Sequence, residues 1–259
     1  MPIYRLVLAY DGEGFAGWQR QPGLRTVQGE LERALAVVAR GPVRVQGAGR
    51  TDTGVHALGQ CASFALEKPL SASRLLASLR GLLPEDISPR ELHVAPEDFH
   101  ARFSATARFY TYRLGLEPCA PLRRLRWDLR CAVDPEAMRA ALPALREAGD
   151  FRGFATREGA AKGSTCRIRE LELEEAGGEL RLRIGADRFL HKMVRIITGT
   201  LVEVGRGRWG PGRVAEILLT GDRTQAGPTA PAHGLFLRRV EYPERCLAPP
   251  PAEACGPLD

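Results

Sequence analysis

The sequence predicts an α/β (α+β) chain of two similar halves, each a mainly antiparallel sheet covered by helices. Three observations point there. A chain of 259 residues, 44% hydrophobic and 26% charged, can bury an ordinary core as one large domain or two small ones, which excludes disorder, collagen and coiled coil. Short runs of alternating apolar residues are interleaved with longer runs of helical period. The order of strand and helix then recurs, which suggests an internal duplication with halves at residues 1–104 and 105–245, followed by a loose Pro-rich tail at 246–259.

The elements follow in order. Residues 3–10 alternate as a strand, and after a polar loop Thr26 caps a helix whose apolar positions are Val27, Leu31, Ala34, Leu35 and Val38. Residues 43–46 form a short strand into a glycine-bounded loop, and residues 59–66 form another strand after it. A helix over residues 71–83 places Leu75, Leu76, Leu79, Leu82 and Leu83 on one side and stops at Pro84. The second half opens with a Tyr/Thr-rich strand at 109–116, and Asp134-Pro135 then starts a helix. A hairpin pairs residues 166–174 with 179–184 around Gly177-Gly178, and a helix follows over 188–203. A short helix runs from Pro211 to before Gly221, and a strand at 234–242 closes the order.

Composition removes several function classes. The longest apolar stretches, at 75–83 and 196–204, fall far short of a membrane span. Residues 1–5 read straight into a strand without the apolar block of a signal peptide, so a cytoplasmic protein is expected. The six cysteines include no CxxC pair and the five histidines no HxxxH pair, so neither a metal site nor a disulfide framework is expected. The net charge of +6 lies in the second half, where residues 105–245 carry 25 basic and 18 acidic side chains, and this points to an acidic partner. Of the 37 basic residues 34 are Arg, the side chain that grips phosphate in bidentate fashion, although a GC-rich genome produces the same bias.

Gly12-Glu13-Gly14-Phe15-Ala16-Gly17 fits G-x-G-x-x-G after a strand, but a dinucleotide site needs a helix to open there. Residues 18–23 intervene and end in a Pro-Gly turn. Phe15, Trp18 and Arg20 on this loop suit stacking and bonding to RNA, or equally Phe15 and Trp18 plug the core beneath it. The densest pattern is Gly47-Ala48-Gly49-Arg50-Thr51-Asp52-Thr53-Gly54-Val55-His56-Ala57, where a strand enters a glycine-hinged loop with a carboxylate at its centre. By residue types alone, Asp52 is either a nucleophile or base beside Arg50, or an Asx-turn that ties down its own loop. Arg188, Lys192 and Arg195 recur at spacings of four and three, so on a helix they share a basic face, and Arg206, Arg208 and Arg213 extend it toward a phosphate-tracking strip.

This loop closely resembles the G-R-T-D-x-G-V-H-A motif of tRNA pseudouridine synthases of the TruA family, and the resemblance continues along residues 10–237. Tyr10-Asp11-Gly12 with Gly17-Trp18-Gln19-Arg20-Gln21 is similar to that family's Y-D-G…G-W-Q. Phe99-His100-Ala101-Arg102-Phe103-Ser104-Ala105 with Tyr110 resembles its F-H-A-R-F-S-A…Y. Phe189-Leu190-His191-Lys192-Met193-Val194-Arg195 resembles its F-x-H-x-M-V-R, and Thr229-Ala230-Pro231-Ala232 with Gly234-Leu235-Phe236-Leu237 its T-A-P-A-x-G-L-x-L.

The resemblance implies a pseudouridine synthase fold with an active-site cleft between the halves, and isomerisation of uridines 38 to 40 in the anticodon arm of tRNA by a homodimer. It makes Asp52 the catalytic carboxylate, Tyr110 the residue that stacks on uracil, Arg195 the partner of Asp52, and Leu237 the apolar wall of the base pocket. Arg50 and His56 contact RNA or shape the loop, and Trp18, Arg20, Phe189, Arg188 and Lys192 are the further candidate substrate contacts. The chemistry agrees: the N1–C1′ bond breaks, the uracil turns, and a C5–C1′ bond forms, with no electrons or groups exchanged, so no cofactor is required. Residue types leave open whether the carboxylate attacks the sugar, adds to the base or removes a proton. The alternative class is an RNA-binding module without catalysis, which would tolerate loss of Asp52.

Overall fold

A computed structural model describes residues 1–161 and 163–247, so residues 248–259 of the expected tail lie outside the described residues. The described chain divides into two units, the first made of residues 1–51, 57–106 and 239–247 and the second of 52–56, 107–161 and 163–238. Both are mixed α/β, with mainly antiparallel strands and helices packed on them.

The first unit is built around β1 (Ile3–Tyr10). Then come α1 (Val27–Ala39), β2 (Gln46–Gly47), all but the first residue of β3 (His56–Ala65), α2 (Ala72–Leu82) and β4 (Ile87–Ala95). β1 lies antiparallel between β3 and β4, with Leu6 opposite Ala62 on one side and Leu92 on the other. Alternation along β1 buries Tyr4, Leu6 and Leu8, while α2 packs on β4 and on α1 and the two helices bury Leu31, Leu35, Leu75 and Leu79. Thr26 caps α1 as expected, its hydroxyl accepting the Gly29 N–H at 3.2 Å. β4 is absent from the sequence reading because Pro89, Arg90 and Glu91 break its apolar pattern. An edge strand tolerates both the missing N–H and the charges. Cys246, assigned to the tail by sequence, is instead buried against Ala48, Cys61, Phe99 and Ala101.

The second unit begins with β5 (Ala107–Gly115) and β6 (Trp127–Asp128) and continues through α3 (Pro135–Ala140), α4 (Leu142–Glu147) and α5 (Arg157–Ala160). It ends with β7 (Ile168–Ala176), β8 (Glu179–Ala186), α6 (Met193–Gly205), α7 (Arg213–Thr220) and most of β9 (Leu235–Glu241). β8 runs antiparallel to both β5 and β7, and Gly177 and Gly178 turn the β7–β8 hairpin with φ of 61° and 73°. The single helix expected after Asp134 is two, because Pro143 has no N–H for the Arg139 carbonyl and its ring crowds that turn. α6 packs on β5 and is buried along nearly its whole length, with Ile196, Ile197 and Leu201 inaccessible. Under the hairpin, Arg126 and Arg113 both reach the buried Glu179, at 3.2 and 2.6 Å, and Arg126 also holds Asp128 at 2.8 Å.

Candidate active site

The glycine-bounded loop is anchored at its start by groups of the first unit. Trp18 is only 3% exposed and lies against Gly47, where a Cβ would stand 2.4 Å from the indole. The Trp18 backbone N–H donates to the Thr51 carbonyl at 3.1 Å, and the Tyr10 hydroxyl meets the Thr51 hydroxyl at 2.8 Å. Burial pushes the Tyr10 phenol up to about 12, so it serves as a neutral hydrogen-bonding group. Gln60 donates to the Gly49 carbonyl at 2.9 Å. Trp18 is therefore a core residue that seats the loop. Its ring is enclosed by protein and does not stack on RNA, contrary to that expectation; Phe15, 2% exposed, is core as well. Arg20 is exposed and paired with Glu32 at 3.2 Å, and Arg50 is exposed.

The rest of the loop, residues 52–56, groups with the second unit. The Val55 N–H closes a turn onto the Asp52 carbonyl at 3.1 Å, and Gly54 supplies the φ of +77° that this turn requires. Asp52 Oδ2 accepts Arg195 Nη1 at 2.8 Å across 143 residues of sequence. Arg195 stands in the first turn of α6, and its Nε donates to the Ala230 carbonyl at 2.8 Å while the Ala230 N–H donates back to the Arg195 carbonyl at 3.0 Å. One guanidinium thus bridges a carboxylate and a fixed backbone carbonyl. A charge-assisted bond of this kind sets the position of the oxygen it holds.

The other oxygen, Asp52 Oδ1, faces His191 Nε2 at 3.5 Å. His191 Nδ1 in turn lies 2.9 Å from the hydroxyl of Thr156, the residue that caps α5. His191 lies within the F-x-H-x-M-V-R motif, where its residue type alone signals no role, and Thr156 carries no sequence signal at all.

The remaining predicted residues separate. Tyr110, on β5 opposite Ile184, is nearly buried and meets Phe189 edge to face at 5.2 Å, which makes an aromatic corner. Leu237 is fully buried on β9. His56 is 2% exposed, stacks on Phe236 at 4.7 Å and bonds through Nε2 to the Arg124 carbonyl at 3.0 Å, so it shapes the loop and has no face left for RNA.

The shared basic face of Arg188, Lys192 and Arg195 is not formed, because α6 starts only at Met193. Asp187 caps the Arg188 N–H at 2.7 Å, and Lys192 takes a left-handed φ of 61°, so residues 187–192 are an irregular approach to the helix. Nor do the next arginines make a free phosphate strip: Arg206 and Arg208 both pair with Glu203, and Arg213 pairs with Glu216. Among the described residues no three His, Cys, Asp or Glu side chains are grouped to hold a metal, and no helix is long and apolar enough to cross a membrane.

A family model described as tRNA pseudouridine synthase matches residues 6–104 and 148–243. The chain is 43% identical over 243 residues to the tRNA pseudouridine synthase A of Geobacter sp. strain M21, an alignment covering 93% of this chain and 98% of that one. It is 41% identical over 247 residues to the protein of that name from Maricaulis maris, covering 94% and 99%. With that of Geobacillus kaustophilus it shares 40% over 249 residues, covering 94% and 95%.

Proposed function

Because the chain belongs to the tRNA pseudouridine synthase family, we propose that it is an isomerase that converts uridine to pseudouridine in tRNA, with Asp52 as its catalytic carboxylate. The observation that carries the assignment of Asp52 is the 2.8 Å pair with Arg195, backed by the Ala230 carbonyl. A carboxylate tied down only as an Asx-turn has no use for a guanidinium brought from 143 residues away.

The reaction breaks N1–C1′, turns the detached uracil, forms C5–C1′ and releases the C5 proton. The protein's part is to present the carboxylate in one orientation and to hold a planar base while it turns. Arg195 serves the first by holding Oδ2. The Tyr110–Phe189 corner, with Leu237 as apolar wall, does the second. The target nucleotide leaves its stack at a cost of a few kcal/mol, and an aromatic face offsets part of that cost. Nothing is oxidised and no group is donated, so the chemistry calls for no cofactor. The substrate sites are uridines 38 to 40 of the anticodon arm, reached by a homodimer in the cytoplasm. Arg50 and Arg20, both exposed, and Arg188 and Lys192 are the side chains that meet the RNA backbone.

The test uses tRNA transcripts tritiated at uracil C5. Wild-type protein releases tritium from anticodon-arm uridines and Asp52→Ala does not. If the wild type binds tRNA yet releases none from any tRNA, the protein is an RNA-binding module and the assignment fails.

A further inference from the structure

The contact between His191 and the unclamped oxygen of Asp52 is outside the roles assigned so far. The Thr156 hydroxyl oxygen already accepts the Gly159 N–H at 3.2 Å, and its remaining partner is His191 Nδ1 at 2.9 Å. The hydroxyl still has its own proton to give, and with Nδ1 as its acceptor the neutral ring carries its hydrogen on Nε2. Nε2 is the ring atom that faces Asp52 Oδ1, at 3.5 Å. The backbone repeats the link, since the Thr156 N–H donates to the His191 carbonyl at 3.3 Å. Gly159 allows the close approach, because a Cβ there would stand 3.0 Å from the His191 Cβ and backbone nitrogen.

We propose that His191 is a positioning residue for Asp52: Thr156 fixes its tautomer so that Nε2–H holds Oδ1 while Arg195 holds Oδ2. The inference rests on the reading of Asp52 as the catalytic carboxylate. Two donors on the two oxygens fix the carboxylate's torsion, which a single guanidinium leaves free to rock. At 3.5 Å the contact is longer than a settled hydrogen bond, and catalytic contacts of this kind shorten in the reacting complex. The ring is 44% exposed, so replacing it leaves the core intact.

Two amides separate the roles of the two ring nitrogens. Gln places a donor where Nε2 stands, and Asn places its polar atoms where Nδ1 stands. Tritium release from C5-labelled tRNA is measured in single turnovers at saturating enzyme, beside tRNA affinity by filter binding and melting temperature. His191→Asn is expected to slow the single-turnover rate about tenfold, the worth of one hydrogen bond to a charged group. Affinity and melting temperature stay unchanged, and His191→Gln recovers most of the lost rate.

Wild-type rates in both variants would overturn the inference. So would the reverse order, Asn active and Gln slow, because the ring would then serve Thr156 alone. A loss confined to tRNA affinity would also overturn it and make His191 an RNA contact. Absence of release by the wild type, or release by Asp52→Ala, would instead remove the reading on which the inference stands.

Discussion

Gly199, in the middle of α6, is where a single methyl group tests how the site is supported. In a helix interior Ala is ordinarily better than Gly by about 1 kcal/mol. Here the sign reverses. A Cβ on Gly199 would stand 1.8 Å from the Pro228 carbonyl oxygen and 3.5 Å from the Ala230 nitrogen. Ordinary carbon–oxygen contact lies near 3.3 Å, so the segment carrying Pro228 and Ala230 must retreat by about 1.5 Å. That segment cannot yield cheaply, since the Gly227 N–H is bonded to the Thr200 hydroxyl at 2.9 Å and Gly227 itself lies against the Thr200 backbone. Overpacking of this kind costs about 1–3 kcal/mol, which lowers the melting temperature by several degrees. The retreat also carries the Ala230 carbonyl away from Arg195 Nε, and misplacement of about 1 Å costs about a hundredfold in rate. Gly199→Ala is therefore expected to melt earlier and to turn over about a hundredfold more slowly with unchanged tRNA affinity, read by thermal unfolding and single-turnover tritium release. An alanine variant as stable and as fast as the wild type would refute the chain of support from Gly199 through Ala230 to Arg195.

Arg195→Lys keeps the charge but one ammonium cannot span both Asp52 and the Ala230 carbonyl, so kcat should drop by at least about tenfold while tRNA still binds; a wild-type kcat would show the bridge to be dispensable. Trp18→Ala removes a 3%-exposed indole from beneath the loop and should cost about 3–5 kcal/mol in denaturant unfolding. A loss of tRNA affinity with unchanged stability would return Trp18 to the RNA. Burial would raise the Glu179 carboxyl, but its contacts with Arg113, Arg126 and Arg181 outweigh burial and hold it below the ordinary range. A carboxyl lowered by folding contributes stability that is full above its unfolded value, about pH 4.3, and lost as the pH falls through the lowered one. The advantage of wild type over Glu179→Gln should thus be constant at neutral pH and close in acid, and an advantage independent of pH would contradict the ion-pair account.

The local grammar of the chain was legible where one signal governed. Thr26 capping α1, the Gly177-Gly178 turn and Gly221 ending α7 with a φ of 66° each follow from a short-range preference. It failed where tertiary context overrode the pattern. β4 is held by pairing to β1 despite Pro89, and the approach to α6 has helical spacing yet is pinned in an irregular path by Asp187 and Lys192. The site divides in the same way. Asp52 stood out through its glycine hinges, but its pairing with Arg195 has no local signature and was legible only through the resemblance of ordered motifs. The Ala230 carbonyl and the Thr156–His191 link were invisible, because a backbone acceptor and a capping threonine are chosen by geometry and not by residue type. Trp18 and His56 sit in motifs that suggest RNA contact, and burial shows them to be the frame of the loop.

We propose that the charge on Asp52, held by Arg195, carries the isomerisation. Asp52→Asn tests it most directly, because the amide keeps the shape of the side chain and an oxygen for Arg195 while removing the carboxylate. Wild type and variant are incubated with the same C5-tritiated tRNA, and tritium release is followed together with tRNA binding and melting temperature. The account predicts a folded, tRNA-binding variant that releases no tritium over many wild-type half-times. Release by Asp52→Asn at a rate near that of the wild type would contradict it.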